Sequence, residues 1–159
     1  MDAIIQILRQ NGRTATEDIA RELNLPAAAV AERIARLENE GVILGYQAVI
    51  DSQKAHDGLV TAVVEVKITP ERGGGFDRLA SRIAKFQEVQ SCYLMSGGYD
   101  LLVIAEGRTL QAIASFIAEK LSTIQGVIST ATHFRLKAYK ENGALLQREK
   151  SEPRLAVAP

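Results

Sequence analysis

Between residues 16 and 35, in TEDIARELNLPAAAVAERIA, the apolar and small positions fall where two helices joined by a tight turn must touch. Ile19, Ala20 and Leu23 mark the inner face of one helix, Leu25 closes the turn, and Val30, Ile34 and Leu37 repeat at helical spacing on the next. Ala20 is small where the second helix crosses closely. Asn24 stands at the bend, where a left-handed backbone is expected and Asn tolerates it better than most residues. The pattern predicts a helix-turn-helix. Ahead of it, Ile4, Ile5 and Leu8 stripe a helix over residues 2–10, which Asn11-Gly12 is expected to terminate. Thr14, three residues before Glu17, offers a capping box for the second helix, and Gly41 follows the periodic run of the third. Residues 42–50, VILGYQAVI, are rich in strand formers and are expected to lead out as a wing-like strand into a turn-prone, polar linker over residues 51–58.

The second half changes period. Leu59 to Ile68 alternates as a strand, with Val60, Ala62, Val64, Val66 and Ile68 on one face. Phe76, Leu79, Ala80 and Ile83 stripe a helix opened by the run Gly73 to Gly75. Strands over 89–95 and 101–105 flank Ser96-Gly97-Gly98-Tyr99-Asp100, Leu110, Ile113, Ile117 and Leu121 stripe another helix, and residues 127–138 form a last strand. The order β-α-β-β-α-β is the ferredoxin-like arrangement, so the fold class is α+β. Two helices cover one face of a four-stranded antiparallel sheet; the other face must be polar or covered by a second subunit. Residues 141–159 alternate charged and small residues without a sustained period and are expected to be a flexible tail.

A chain of 159 residues with 47% hydrophobic content accommodates one ordinary domain or two small ones. No run approaches the roughly 18 to 20 apolar residues of a membrane span, and no charged-then-apolar leader opens the chain, so a cytoplasmic protein with no membrane partner is expected. Cys92 is alone, which excludes a disulfide framework and a thiolate metal cluster; flanked by strand-like sequence, it is expected to be a small core residue. Neither a metal nor a cofactor is expected. The formal net charge is zero, and residues 1–50 carry five Arg against seven acids. Nucleic-acid binders are usually basic, so one copy should bind DNA weakly. Phosphate contacts are local and screened beyond about 8 to 10 Å, so several copies on one scaffold would restore affinity by raising effective concentration.

A helix-turn-helix with a wing, then a short linker and a β-α-β-β-α-β domain, with GRTATEDIA, RIARLENEGVILGY and SGGYDLL in that order, resembles the Lrp/AsnC family of feast/famine transcriptional regulators over residues 1–140. The resemblance implies a DNA-binding domain over residues 1–50 and a linker over 51–58. It implies that residues 59–140 form a RAM domain, which dimerises through its sheet, assembles dimers into octamers or similar rings and senses a small effector, usually an amino acid. The helix-turn-helix would span Thr16 to Ala35, with the recognition helix beginning near Pro26. Arg33 matches the arginine of the family's RxxxLE stretch and Arg36 a position that is commonly basic; both are candidate contacts to double-stranded DNA. Arg33 is equally a candidate for an ion pair, with an acid such as Glu17 or Glu40, that braces the helices. The chain departs from the family where a Ser is usual and Pro26 stands, followed by Ala27, Ala28 and Ala29. Those alanines offer methyl contacts only, and Glu32 either accepts from cytosine or repels phosphate, so readout is expected to lean on DNA shape.

The hairpin Ser96 to Asp100 matches the family's GxYD-type effector loop. Paired glycines let backbone N–H groups face a small anion, and Asp100 is a candidate acceptor for a ligand ammonium. The competing reading is a plain tight turn, with the glycines at φ > 0 and Asp100 bonding backbone. Thr130 and Thr132 project from one face of the last strand beside Phe134, as effector contacts or as ordinary strand threonines. The siroheme decarboxylases share this architecture, and His56 and His133, the latter beside Arg135 and Lys137, are the histidines an enzyme of that kind would have to use. No Ser-His-Asp spacing, paired-carboxylate signature or phosphate loop is present, so no catalytic residue is assigned. A third reading is a regulator that works by oligomerisation without a ligand.

Overall fold

Asp2 starts the first helix of the structure, a computed structural model that describes residues 2–70, 73 and 75–146. Its side chain accepts a hydrogen bond from the Ile4 amide, satisfying one donor that α1 (Ala3–Gln10) cannot satisfy internally. Asn11 then ends α1, as expected, in an extended conformation at φ −148°. The expected capping box does not form. Ala15 takes the N-cap position of α2 (Thr16–Leu23) without a side-chain bond, because the Thr14 hydroxyl donates instead to the Asn11 carbonyl at 2.8 Å. At the bend Asn24 is left-handed (φ 53°, ψ 47°), and α3 (Ala27–Asn39) follows with Gly41 at φ 69° just beyond it. Ile4, Ile19, Ala20 and Val30 form the buried centre where these helices meet.

Residues 42–50 do not form the expected wing strand. Strand propensity needs a partner ladder, and the described residues of this chain supply none there. Instead the Val42 and Ile43 amides close the end of α3 on the Leu37 carbonyl, and the segment leaves Leu44 93% exposed. Tyr46 alone folds back, donating from its hydroxyl to Glu38 at 2.9 Å. Its ring lies so close to Gly12 that a Cβ there would meet Cδ1 at 3.2 Å, which explains a glycine in that loop better than backbone freedom does.

Two units are distinguished by their internal contacts: residues 2–50 with 139–146, and Asp51–Ala138. The second begins with a short helix, α4 (Ser52–Ala55), inside the segment expected as linker, capped by the Asp51 carboxylate on the Gln53 and Lys54 amides. Strand β1 (Val60–Ile68) is central. The sheet order is β2 (Val89–Leu94), β3 (Leu101–Gly107), β1, β4 (Val127–Phe134), with each neighbouring pair antiparallel. The predicted alternation in β1 holds from Ala62 on, with Ala62, Val64, Val66 and Ile68 buried; at its start Val60 is only half-buried and Thr61 is buried instead. They pack under α5 (Asp77–Ile83) and α6 (Leu110–Ser115), through Leu79, Ile83 and Ile113. Cys92 packs against the same core with its Sγ 3.9 Å from the Ala80 carbonyl, and burial pushes its thiol pKa up.

Three local expectations need correction. Leu110 is exposed rather than part of the core stripe. The chain after α6 widens into a π-helical turn over Phe116–Leu121, which buries Phe116, Ile117 and Leu121 together and sets Phe116 edge-on to Phe86, with centroids 5.5 Å apart. Strand β4 stops at Phe134, short of residue 138: Phe134 pairs with Ala62, and beyond it the Arg135 amide reaches on to the Thr61 carbonyl. The expected tail opens with a hairpin, β5 (Lys140–Glu141) and β6 (Ala144–Leu145), turned by Asn142 and Gly143 at φ 43° and 89°. The remainder of that tail, residues 147–159, lies outside the described residues.

Candidate nucleic-acid interface and effector site

The α3 helix presents Pro26, Ala27, Ala28, Ala29, Glu32 and Arg36 as exposed residues along its length, while Thr16, the first residue of α2, is half-buried. Arg36 Nη2 lies 3.3 Å from Glu32 Oε1 one turn earlier, with both side chains more than half exposed; such a pair is weak and easily exchanged for a phosphate. Arg33 behaves differently. It meets neither Glu17 nor Glu40, the acids expected, but the carboxylate of Asp2: Nε donates to Oδ2 at 3.0 Å, and Nη2 stands 2.9 Å from the same oxygen in the ion pair. Burial alone would raise the Asp2 pKa, yet the Arg33 guanidinium and the Ile4 and Ile5 amides together hold it below the usual carboxylate range.

In the second unit, the hairpin between β2 and β3 is fastened by Asp100. Its amide donates to Val66, its carbonyl accepts from Met95, and its carboxylate Oδ2 accepts the Ile68 amide at 2.8 Å, where the pairing of β1 with β4 shifts register. The Ile68 amide lies on the edge of β1 that faces β3, just past the last β1–β3 pair, Val66 with Leu101, so a side chain satisfies it where that ladder ends. Sequence alone offered Asp100 to a ligand ammonium; the structure commits one of its oxygens to the backbone of β1. Gly97 has φ 135°, as the tight-turn reading requires, whereas Gly98 is not at positive φ.

A cavity of about 340 Å³ opens beside this hairpin, lined by Gly98 and Tyr99, by Ser129, Thr130 and Ala131 of β4, and by Glu65 and Lys67 of β1. It brings together three of the sequence-derived effector residues: Gly98, Tyr99 and Thr130. Ser96, Gly97 and Asp100 do not line it. Thr132 lines a second depression of about 310 Å³ with Thr130, Ser122 and Phe134 at the π-helical turn, and Ser122 Oγ stands 3.3 Å from Thr130 Oγ1. Glu65 and Lys67 were not anticipated, although the signal was present: they are the charged positions that alternate with Val64, Val66 and Ile68. Glu65 also lies 3.5 Å from His133 Nε2, while His56 caps α4 in a left-handed conformation. Among the described residues no group of three or more His, Cys, Asp or Glu is placed to hold a metal, and no helix is long and apolar enough to cross a membrane.

An exposed helix of a helix-turn-helix, followed by a ferredoxin-like unit that carries a cavity of small-molecule size, defines the class of two-unit DNA-binding transcriptional regulators. Family models agree with both halves: residues 3–43 match the winged helix-turn-helix DNA-binding model, and residues 61–145 match the Lrp/AsnC ligand binding domain. The chain belongs to the Lrp/AsnC family of transcriptional regulators. It is 46% identical over 158 residues to the HTH-type transcriptional regulator YugG of Bacillus subtilis, covering 98% of this chain and 95% of that protein. It is 28% identical over 145 residues to the leucine-responsive regulatory protein of Escherichia coli, covering 90% and 87%. Among solved structures, the transcriptional regulator NMB0573 of Neisseria meningitidis, in complex with L-Met, superposes with a TM-score of 0.69 at 26% identity, covering 89% of this chain and 93% of that one.

Proposed function

We propose that the second unit senses a free α-amino acid, held as a zwitterion in the cavity beside Gly98 and Tyr99, and that occupancy of this cavity changes how the first unit holds double-stranded DNA. One observation carries the reading: a carboxylate, Glu65, and an ammonium, Lys67, two residues apart on one strand, wall a cavity at the lower end of the size range of ligand sites. A ligand ammonium answers Glu65 and a ligand carboxylate answers Lys67, leaving the side chain to Tyr99 and the β4 backbone. The L-Met complex of the Neisseria relative supports an amino acid as the ligand class. In this reading residues 1–50 bind DNA through α3, with Arg36 on phosphate and Ala27, Ala28 and Ala29 against thymine methyls. Residues 51–58 connect, and residues 59–140 sense and assemble. The half-buried Val63, Leu102 and Ile104 on the sheet face opposite the helices support a homodimer through that face, with higher assembly up to an octamer multiplying weak DNA contacts.

Calorimetric titration of the full chain with the L-amino acids tests this. At least one should bind saturably, and Lys67→Ala should weaken that ligand roughly 10- to 100-fold, the usual effect of deleting one charge-assisted hydrogen bond. Equal affinity in the variant would remove this cavity from the effector site.

A further inference from the structure

The ion pair between Asp2 and Arg33 joins the first residue ahead of α1 to the middle of the DNA-reading helix, 31 positions away. Both carboxylate oxygens are in use: Oδ1 caps α1 through the Ile4 amide, and Oδ2 accepts from Arg33 Nε with Nη2 of the same guanidinium edge 2.9 Å away in the ion pair. An arginine poised for phosphate would present that same edge, its best bidentate face, to solvent. Here the edge is turned inward on an acid, and a phosphate approaching it would meet the carboxylate's charge as well. We infer that Arg33 is a positioning residue for DNA recognition: with Asp2 it clamps α3 against the start of α1 and sets the angle at which α3 meets the groove, without itself contacting DNA. The inference rests on the DNA-binding role of the first unit and reverses the sign expected for one substitution.

If Arg33 bound phosphate, removing the Asp2 charge would release it and tighten DNA binding. If Arg33 is a clamp, the same change loosens α3 and weakens binding. The useful variant is Asp2→Asn, because Asn is as good an N-cap as Asp and so keeps α1 capped while the ion pair is lost. The probe is a labelled duplex taken from a random pool by successive rounds of binding to the full-length chain, with affinity read across a salt series. Asp2→Asn and Arg33→Gln should each weaken binding by a similar factor, roughly three- to fivefold, and the double variant by no more than either. All three should keep the wild-type salt slope, whereas Arg36→Ala, as the contrasting surface cation, should lower it by about 0.9. The inference is overturned if Asp2→Asn binds as tightly as wild type or tighter, or if Arg33→Gln flattens the salt slope as Arg36→Ala does. Failure of the wild-type chain to select any duplex would instead strike at the DNA-binding role itself. Thermal melting of the variants separates the clamp from unfolding: a melt within a few degrees of wild type is expected, and a collapse of the first unit in Asp2→Asn would also count against the inference, since it would make the pair a general brace.

Discussion

The two units hold their working parts in place by the same device on very different foundations. In each, an aspartate carboxylate takes a backbone amide: Asp2 that of Ile4, and Asp100 that of Ile68. Beneath Asp100 lies a core of fourteen buried residues from β1, β3, the two helices and the π-helical turn with Ile124 after it, whereas beneath Asp2 the buried cluster is Ile4, Ile19, Ala20 and Val30. Apolar burial contributes about 1.5 to 3 kcal/mol for each large side chain, so the sheet unit can fix its hairpin by packing and use Asp100 for one awkward amide. The helical unit has far less to draw on. There the aspartate carries a second task, binding Arg33, so that a polar tie supplements the packing of Val30 and Ile34 in holding α3. A ligand site on the rigid unit and a reader on the loosely founded one is a sensible division for a protein that must transmit a signal to DNA.

The largest change is expected from Ile83→Ala, which empties a fully buried site under the sheet and should cost about 2 to 5 kcal/mol, read from denaturant unfolding of the full chain. A cost below about 1 kcal/mol would mean that the sheet core is less tightly packed than described. Next, Asp100→Ala leaves the Ile68 amide without its acceptor and should cost about 1 to 3 kcal/mol, while also altering ligand binding through the displaced hairpin. Wild-type stability with wild-type titration curves would show that the hairpin does not need its anchor. The smallest effect concerns pH. Glu88 accepts from Lys120 at 2.6 Å, and that hydrogen bond, against the opposing pull of burial, holds its folded pKa below the ordinary value of 4.5. A depressed carboxylate stabilises the folded state fully above its unfolded pKa and loses that contribution as pH falls through the folded one. Lys120→Met should therefore narrow the stability difference between neutral and acid solution only below about pH 4.5, and an unchanged acid limb in melting experiments would remove the pair from the stability account.

Much of the fold was legible because it rests on local period. The bend at Asn24, the alternation in β1 and the β-α-β-β-α-β order all follow from spacing, and each stands in the structure. What was not legible depends on partners distant in sequence or missing altogether. VILGYQAVI has strand composition but no strand to pair with in its own chain. The carboxylate that Arg33 selects lies far up the chain, and no helical spacing points to it. Asp100 looked like a ligand group because its type and loop suit one; its backbone partner, the Ile68 amide, appears only once β1 and β3 are paired. The hairpin at Asn142-Gly143, by contrast, carried a strong turn signal that the surrounding charged composition obscured.

If a ligand in the cavity is coupled to the reading helix, DNA affinity must respond to that ligand. Affinity of the full-length chain for its selected duplex is measured with and without each saturating L-amino acid, in the wild type and in Lys67→Ala. At least one amino acid should shift wild-type DNA affinity by about fivefold or more, and the same concentration should leave Lys67→Ala unmoved. DNA binding that persists in the wild type but is unchanged by every L-amino acid would contradict the coupling.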